Sequence, residues 1–235
     1  MATLAPAAHA DAPSEDRVRL ALQRHADGTW TQEDVDIVRS IPELAGQVMD
    51  VTRPDEIVTK EAAFTSTGQA VSPANGEPLT PEQLAEVMPP STAEPSDPAT
   101  EVTTPEEVDP EAGGISPRIT GGTWKMTHIT HTHRSYSGSV IFKYHTYARF
   151  NYGGGKVRAW GQRYDDVTNT SVDVKIEPKL IVNTKSSVPA SYATSQMKRQ
   201  VELCVFKYGC YATLHPWAKV GVYGSGKTKI VGSGV

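Results

Sequence analysis

The sequence predicts an all-β fold: a C-terminal antiparallel β-sandwich or small barrel, preceded by short helices and a disordered, acidic, proline-rich linker. Three observations support this prediction. The charge changes sign near residue 118, proline is concentrated before that point, and alternating apolar and polar residues dominate after it. We therefore divide the chain into residues 1–10, 11–50, 51–117 and 118–235.

The two halves of the chain carry opposite charge. Residues 1–117 contain 22 acidic and 6 basic side chains, a net charge of −16, whereas residues 118–235 contain 5 acidic and 17 basic side chains, a net charge of +12. Eleven of the 17 prolines lie between Pro54 and Pro117. The asymmetry indicates separate roles for the halves. The acidic half is either a solubilising tail or a pro-segment or tether that shields the cationic domain.

The N-terminus indicates export. Residues 1–10 are small and apolar and end in Ala8, His9 and Ala10, a pattern that signal peptidase reads, although a positively charged start is missing. We interpret them as a signal-peptide remnant and expect an extracellular protein; an ordinary alanine-rich terminus is the alternative. No apolar run approaches the roughly 20 residues that span a bilayer, so no transmembrane segment is predicted.

Residues 11–50 are predicted to form short helices. Apolar residues at helical spacing follow Ser14 and stop at Gly28, and the segment from Thr31 to Asp34 resembles a capping box. Such a short segment buries little surface alone, so it either docks on the rest of the protein or stays marginal. Ser, Thr, Pro, Glu and Ala dominate residues 51–117, which predicts a disordered linker with one short helical patch after Thr80.

After Gly121 the period-2 pattern predicts seven or eight strands. The first long strand turns at Gly153–Gly155 into a second, and a strand beginning near Cys210 returns towards Tyr223. The residues expected to face the core are Val140, Phe142, Tyr144, Ala148 and Phe150 on the first strand, Val157 and Ala159 on the second, Val172, Val174 and Ile176 on a third, Leu180 and Val182 on a fourth, Val201, Leu203 and Val205 on the next, and Cys210, Ala212, Leu214, Ala218, Val220 and Val222 on the returning strand.

Cys204 and Cys210 are predicted to form a disulfide. They enclose five residues with a turn at Tyr208 and Gly209, and a hairpin here would place the two cysteines opposite each other. A single pair at this spacing is unsuited to zinc, so a bridge is expected, with a reduced pair as the alternative.

A short loop closed by a disulfide also suits a proteinase inhibitor, with Lys207 and Tyr208 as the residues that the target protease would bind.

Two sequence motifs are rejected on physical grounds. The segment from Gly221 to Thr228 matches the phosphate-binding loop pattern, but a strand and not a helix follows it, so no nucleotide site is predicted and the glycines are assigned to a hairpin turn. His128, His131, His133 and His145 suggest a metal site, but no acid or cysteine lies nearby in the sequence. We therefore predict no metal and no cofactor.

The residues Arg118, Ile119, Thr120, Gly121 and Gly122 resemble the activation junction of trypsin-like serine proteases. The resemblance ends there, because no nucleophile motif follows and about 117 residues are too few for the two-barrel fold of that family. An arginine between a linker and a folded domain is nevertheless a good proteolysis site. Processing between Arg118 and Ile119 is thus predicted, with an incidental linker arginine as the alternative.

The functional prediction rests on the outward face of the β domain. If Asn151 pairs with Lys156, Arg149 lies opposite Arg158 and Tyr147 opposite Trp160, a clustering of cations and aromatics that suits anionic or glycan ligands. A solvated face with some aromatics in the core is the alternative. The predicted ligand-binding residues are Lys143, Tyr147, Arg149, Arg158, Trp160, Trp217, Lys219 and Tyr223.

These features predict a secreted binding protein whose β domain engages an anionic or glycan polymer of the cell envelope, or a target protein. A secreted antimicrobial or toxin, held inactive by the acidic half, and a proteinase inhibitor are the alternatives. An enzyme is not favoured and no catalytic residue is assigned, because the β domain contains only five acids and none pairs convincingly with His or Ser. Oligomeric state is not predicted.

Overall fold

The computed structural model describes residues 12–88, 121–169 and 174–235. Within these ranges the chain forms four helices and ten strands. The helices are α1 (Glu15–Ala26), α2 (Gln32–Ser40), α3 (Pro42–Gln47) and α4 (Pro81–Val87). The strands are β1 (Glu56–Phe64), β2 (Ala70–Val71), β3 (Thr123–Arg134), β4 (Val140–Gly153), β5 (Lys156–Asn169), β6 (Val174–Lys185), β7 (Tyr192–Val205), β8 (Gly209–Leu214), β9 (Trp217–Tyr223) and β10 (Thr228–Gly234).

The strands form two antiparallel five-stranded sheets. The first sheet has the order β2-β1-β3-β4-β5, and the second has the order β10-β9-β7-β6, with β8 also paired to β7. Alternate side chains of both sheets share one buried apolar cluster, which includes Phe150 and Trp160 from the first sheet and Val220 and Val222 from the second. The coarse prediction of antiparallel sheets after short helices is confirmed. The barrel alternative is wrong, because the sheets do not close into a barrel.

The N-terminal helices dock on the β8 end of the second sheet. Val18, Leu22 and Val38 from α1 and α2 form a buried cluster with Val205, and Tyr208 and Tyr211 pack against it. The predicted capping box is present, because Thr31 and Asp34 exchange side-chain and backbone hydrogen bonds. Of the two alternatives from the sequence, docking is therefore the one observed.

The structure corrects the linker assignment for residues 51–88. Glu56–Phe64 is a strand that pairs with β3 along its whole length, and Pro81–Val87 is a helix. Glu61 of β1 forms an ion pair with Lys125 of β3 at 2.7 Å and accepts a hydrogen bond from Thr228 of β10. The first part of the predicted linker thus contributes a strand to the first sheet, between β2 and β3. The remaining residues 89–117, the signal-peptide remnant 1–10 and the junction Arg118–Ile119 lie outside the described residues.

Two strand boundaries also differ from prediction. The expected third and fourth strands are one strand, β6, whose register with β7 shifts twice between Ile176 and Val182; Val172 lies outside the described residues. The expected returning strand is divided into β8 and β9 before Trp217, where Pro216 lacks the N–H that a continuous ladder needs. The predicted disulfide between Cys204 and Cys210 is confirmed.

Candidate ligand-binding face of the second sheet

The eight predicted binding residues do not form one surface, because the expected register of β4 and β5 is wrong. The chain turns through only Gly154 and Gly155, so Lys156 pairs with Gly153 and not with Asn151, and two further register shifts follow, opposite Asn151/Tyr152 and Ala148/Phe150, each with an extra residue on β5. Such bulges turn successive side chains away from the faces that simple alternation assigns. Arg149 and Arg158 are therefore not paired, and Trp160 lies opposite Phe150.

Two of the predicted binding residues are buried. Trp160 is 9% exposed, belongs to the cluster between the sheets and donates a hydrogen bond from Nε1 to the Ser186 carbonyl at 2.8 Å. Tyr147 is 1% exposed, and its ring stacks on Tyr164 and on His128 at centroid distances of 4.3 and 4.2 Å. These two residues stabilise the fold and offer no surface to a polymer.

Lys143 borders a groove of about 450 Å³ on the outer face of the first sheet. His128 and His145 lie in this groove with Nε2 of the first and Nδ1 of the second 2.9 Å apart. Burial lowers the pKa of His128 to about 4, against a smaller opposing effect of its hydrogen bond to the Glu86 carbonyl. Burial and the charge of Lys143 lower the pKa of His145 to about 4. Both imidazoles are neutral at pH 7.

The remaining cations of the first sheet are engaged within the fold. The Arg149 guanidinium lies 4.9 Å from the centroid of the Phe64 ring and 5.1 Å from that of Trp124, both cation–π distances. Arg158 lies beside Gly122, where an added Cβ would be 3.0 Å from its Nη1. Arg149 thus joins β1, β3 and β4, which is a structural role.

The last three predicted residues do share a face, on the outside of the second sheet. Along β9, Ala218, Val220 and Val222 point into the shared core, so Trp217, Lys219 and Tyr223 point outward. The antiparallel register places Lys198, Gln196 and Tyr192 of β7 directly opposite these three residues. Lys229 and two glycines of β10 complete the row on the other side of β9. We name this surface the outer lysine–aromatic face; it consists of Tyr192, Lys198, Trp217, Lys219, Tyr223 and Lys229.

Glycines let the aromatic rings of this face lie against the sheet. A Cβ added to Gly232 would be 2.8 Å from Cη2 of Trp217, and one added to Gly221 would clash with the hydroxyl of Tyr192. Each ring therefore occupies the space that a side chain on the neighbouring strand would fill. Trp217 stays half-buried, while Tyr192 and Tyr223 are 39% and 36% exposed. The rings of Trp217 and Tyr192 are therefore supported by the glycine backbone of the neighbouring strands.

The cations of this face have no counter-charge among the described residues. Across the described part of the chain, no carboxylate forms an ion pair with Lys198, Lys219 or Lys229. Lys219 and Trp217 lie on one strand two residues apart, and Lys198 lies directly opposite Trp217. Cations and aromatic rings therefore alternate over neighbouring strands, and the arrangement is chemically suited to a ligand with both apolar ring faces and negative charge.

Tyr192, Lys198 and Lys229 were not among the predicted residues. The signal for the first two was present, since Ala193, Ser195 and Met197 are buried and alternate with them along β7. Lys229 follows the hairpin turn, where Tyr223 and Lys227 close the loop through a backbone hydrogen bond. That turn confirms the hairpin predicted at Gly224 to Gly226 and leaves no helix at which a phosphate could bind.

The disulfide loop offers little support for an inhibitor. Tyr208 packs on the helical cluster with the Arg19 guanidinium 5.5 Å from its ring centroid, and Lys207 forms an ion pair with Glu15 at 3.5 Å. Phe206, at 95% exposure, and the Lys207 side chain, at 65%, project from the loop, whereas Tyr208 is partly buried. Tyr208 is therefore held by α1, and the exposed ion pair with Glu15 restrains Lys207 only weakly.

The comparisons with known proteins identify no relative: no family model, no curated protein and no solved structure matches this chain. Among the helices of the described ranges, none is long and apolar enough to cross a membrane.

Proposed function

We propose that this protein is a secreted binding module that engages an anionic glycan through the outer lysine–aromatic face of its second sheet. The observation that carries the proposal is the row of backbone-supported aromatic rings interleaved with three lysines for which residues 12–88, 121–169 and 174–235 supply no ion-pair partner. Sugar rings present apolar C–H surfaces, and tryptophan and tyrosine bury such surfaces at low cost in side-chain entropy. Lysine ammonium groups add charge-assisted hydrogen bonds to carboxylate, sulfate or phosphate substituents.

The charge distribution supports an anionic and not a neutral ligand. The five carboxylates of residues 118–235 are few against 17 cations, and two of them, Asp165 and Glu202, form ion pairs elsewhere, with Arg199 and Lys175. A ligand carboxylate or sulfate would therefore meet Lys198, Lys219 and Lys229 without competition from the carboxylates that the structure describes. The cystine of Cys204 and Cys210 supports an oxidising, extracellular location.

In this proposal the acidic half is part of the folded structure. Its strand β1 completes the first sheet and its helices cover the β8 hairpin, so a toxin released from a pro-segment would lose both contacts. Tethering by the residues between the two halves remains compatible with the binding role. The acidic half therefore acts in this proposal as a scaffold and not as a removable inhibitor.

Affinity electrophoresis with polygalacturonate, and with neutral dextran as the comparison polymer, tests the proposal. We expect retardation by polygalacturonate, loss of about tenfold or more in affinity for Trp217→Ala, and a smaller, salt-dependent loss for Lys219→Ala. The matched controls are Phe206→Ala and Lys207→Ala, which remove an exposed aromatic ring and a lysine from the disulfide loop. Equal affinity of the wild type and Trp217→Ala, or equal losses in the controls, would overturn the proposal.

A further inference from the structure

Three ligand-type side chains converge where β1 begins. His131 and His133 are alternate residues of β3 and point to the same side of the first sheet. The antiparallel register pairs Glu56 with Thr132, so Asp55 immediately before β1 lies beside His133. Asp55 and His131 are 76 positions apart in the sequence, and only the pairing of β1 with β3 brings them together.

The distances match those of a preformed donor set. One carboxylate oxygen of Asp55 lies 2.9 Å from Nε2 of His131, and the other lies 3.0 Å from Nδ1 of His133. The two imidazole centroids are 4.4 Å apart, and one donor atom from each of the three residues lies within 4.8 Å of the others. Side-chain donors at such mutual distances can all reach one ion at the 2.0–2.2 Å typical of zinc ligands.

The two histidines are buried beside Asp55, and each keeps one ring nitrogen without a partner. His131 and His133 are 1% and 0% exposed, and Nε2 of His131 and Nδ1 of His133 face the Asp55 carboxylate. Within the described residues, Nδ1 of His131 and Nε2 of His133 have no hydrogen-bond partner. A buried polar atom without a partner costs about 1–3 kcal/mol, so this buried pair of imidazoles requires an explanation. A cation that takes one nitrogen from each ring and an oxygen from the carboxylate as ligands provides one.

We propose that Asp55, His131 and His133 bind one divalent transition-metal ion, with Zn²⁺ as the ion of best fit. The two imidazoles are borderline donors that suit zinc, which also accepts a carboxylate oxygen as a ligand, whereas Ca²⁺ and Mg²⁺ prefer sites built from oxygen donors alone. Three protein ligands leave a tetrahedral ion with one open position. This site is separate from the outer lysine–aromatic face and does not depend on the proposed function.

The site has a route to solvent on the Asp55 side. The Asp55 carboxylate is 31% exposed and borders a cavity of about 220 Å³. The other residues that line this cavity are Asp50, Arg53, Pro54, Glu56, Thr132 and Arg134. Phe142 stacks on the opposite side of His133, at a centroid distance of 4.4 Å, and closes the site towards the core. An ion would therefore enter from the cavity and bind with its open position facing water.

Metal analysis and calorimetry on the full chain test this inference. After dialysis with a chelator, titration with Zn²⁺ should give one site per chain, and Co²⁺ should produce the visible absorption of a tetrahedral complex. Asp55→Asn should weaken Zn²⁺ binding by more than about tenfold. Even the loss of a residue that only hydrogen-bonds a metal ligand typically weakens metal affinity by about 10- to 100-fold, and Asp55 is a proposed ligand itself. Glu56→Gln, which alters the same cavity but no proposed ligand, should bind as the wild type does.

A second pair of variants keeps the test decisive if buried substitutions prevent folding. His131→Asn is expected to abolish the Co²⁺ absorption, and His145→Gln, in the groove on the other face of the first sheet, is expected to preserve it. If His131→Asn does not fold, the partly exposed Asp55→Asn decides the matter. Absence of a Zn²⁺ site in the folded wild type, or binding that is lost in His145→Gln and retained in Asp55→Asn, would overturn the assignment.

Discussion

Tyr192 of β7 lies directly opposite Tyr223 of β9, and their ring centroids are 4.8 Å apart. Cross-strand aromatic pairs of this kind contribute about 0.5–1.5 kcal/mol beyond area burial and hold both rings in place. Trp217 lies six residues from Tyr223 on the same strand, so about 20 Å separates the two aromatic positions at the rise of an extended strand. That span matches several sugar residues, which favours a polymer over a single sugar as the ligand.

The support of Trp217 by glycine gives a first prediction. Gly232→Ala should push the indole off the sheet, because the new methyl group would lie 2.8 Å from Cη2, and should lower polygalacturonate affinity by about tenfold while the protein stays folded. Gly46→Ala in α3 is the matched control, since a Cβ there meets nothing within 4 Å. Affinity electrophoresis with circular dichroism measures both properties. A folded Gly232→Ala with wild-type affinity would contradict the role of Trp217.

The imidazole pair in the groove gives a pH prediction. The unfolded chain protonates His128 and His145 near their ordinary pKa of 6.5, whereas the folded protein holds each pKa at about 4. The unfolded state therefore binds more protons between these values, and stability is fully present above pH 6.5 and falls as the pH drops towards 4. The charged groups facing the pair are Glu56, Lys60, Glu86, Lys143 and Asp166.

Urea unfolding between pH 7 and pH 5 measures this loss of stability. Most carboxylates titrate below pH 5, so they contribute little to the change over this range. The unfolding midpoint of the wild type should fall across this range, and the double variant His128→Gln/His145→Gln should fall less steeply. Parallel curves for the two proteins would show that other groups control acid sensitivity.

The buried ion pair between Arg199 and Asp165 gives a stability prediction. Their side chains are 14% and 2% exposed, and the guanidinium approaches the carboxylate to 2.6 Å. Arg199→Ala leaves that carboxylate buried without its cation, so the free energy of unfolding should drop by about 3–5 kcal/mol. Arg17→Ala, which breaks the exposed pair with Glu33, should cost about 1 kcal/mol or less. Similar losses in both variants, measured by urea unfolding, would contradict this account.

The packing of the acidic half gives a prediction about cleavage. A specific protease site placed between residues 89 and 120 should yield two fragments that still co-elute in size-exclusion chromatography, because β1 stays paired with β3 and α1 stays packed on the β8 hairpin. The fragments should separate in urea, and a denaturing gel confirms the cut. Elution of the C-terminal fragment alone in native buffer would favour a releasable pro-segment instead.

Local patterns in the sequence predicted local structure well. The capping box of α2, the disulfide hairpin and the alternation along β4 and β9 all depend on residues close together in the chain, and the structure confirms them. The predicted register of β4 and β5 was wrong because the turn uses only Gly154 and Gly155, where the prediction took a longer glycine loop, and because the bulges that follow leave almost no compositional trace. Ala148 and Phe150 keep the expected face, while the residues that pair with them on β5 shift.

Strand β1 and the Asp55–His131–His133 cluster were missed because each depends on contacts between residues far apart in the sequence. Strand β1 carries Lys60 and Glu61 near its centre, and its identity as a strand comes from pairing with β3 beyond residue 120. Since residues 51–117 were assigned to a linker, Asp55 was not considered as a neighbour of His131 and His133. The assignment of β1 to a linker thus hid the donor set, although its two histidines were visible in the sequence.

The pairing of Phe64 with Trp124 has a consequence for synthesis of the chain. These residues are 60 positions apart, so at about 5–20 residues per second the ribosome completes β1 about 3–12 s before its partner exists. During this interval Ala62 and Phe64 have no sheet to cover them, and the nascent chain carries mainly acidic side chains around them. Mutual repulsion between neighbouring nascent chains on a polysome would then keep these early strands apart until β3 emerges.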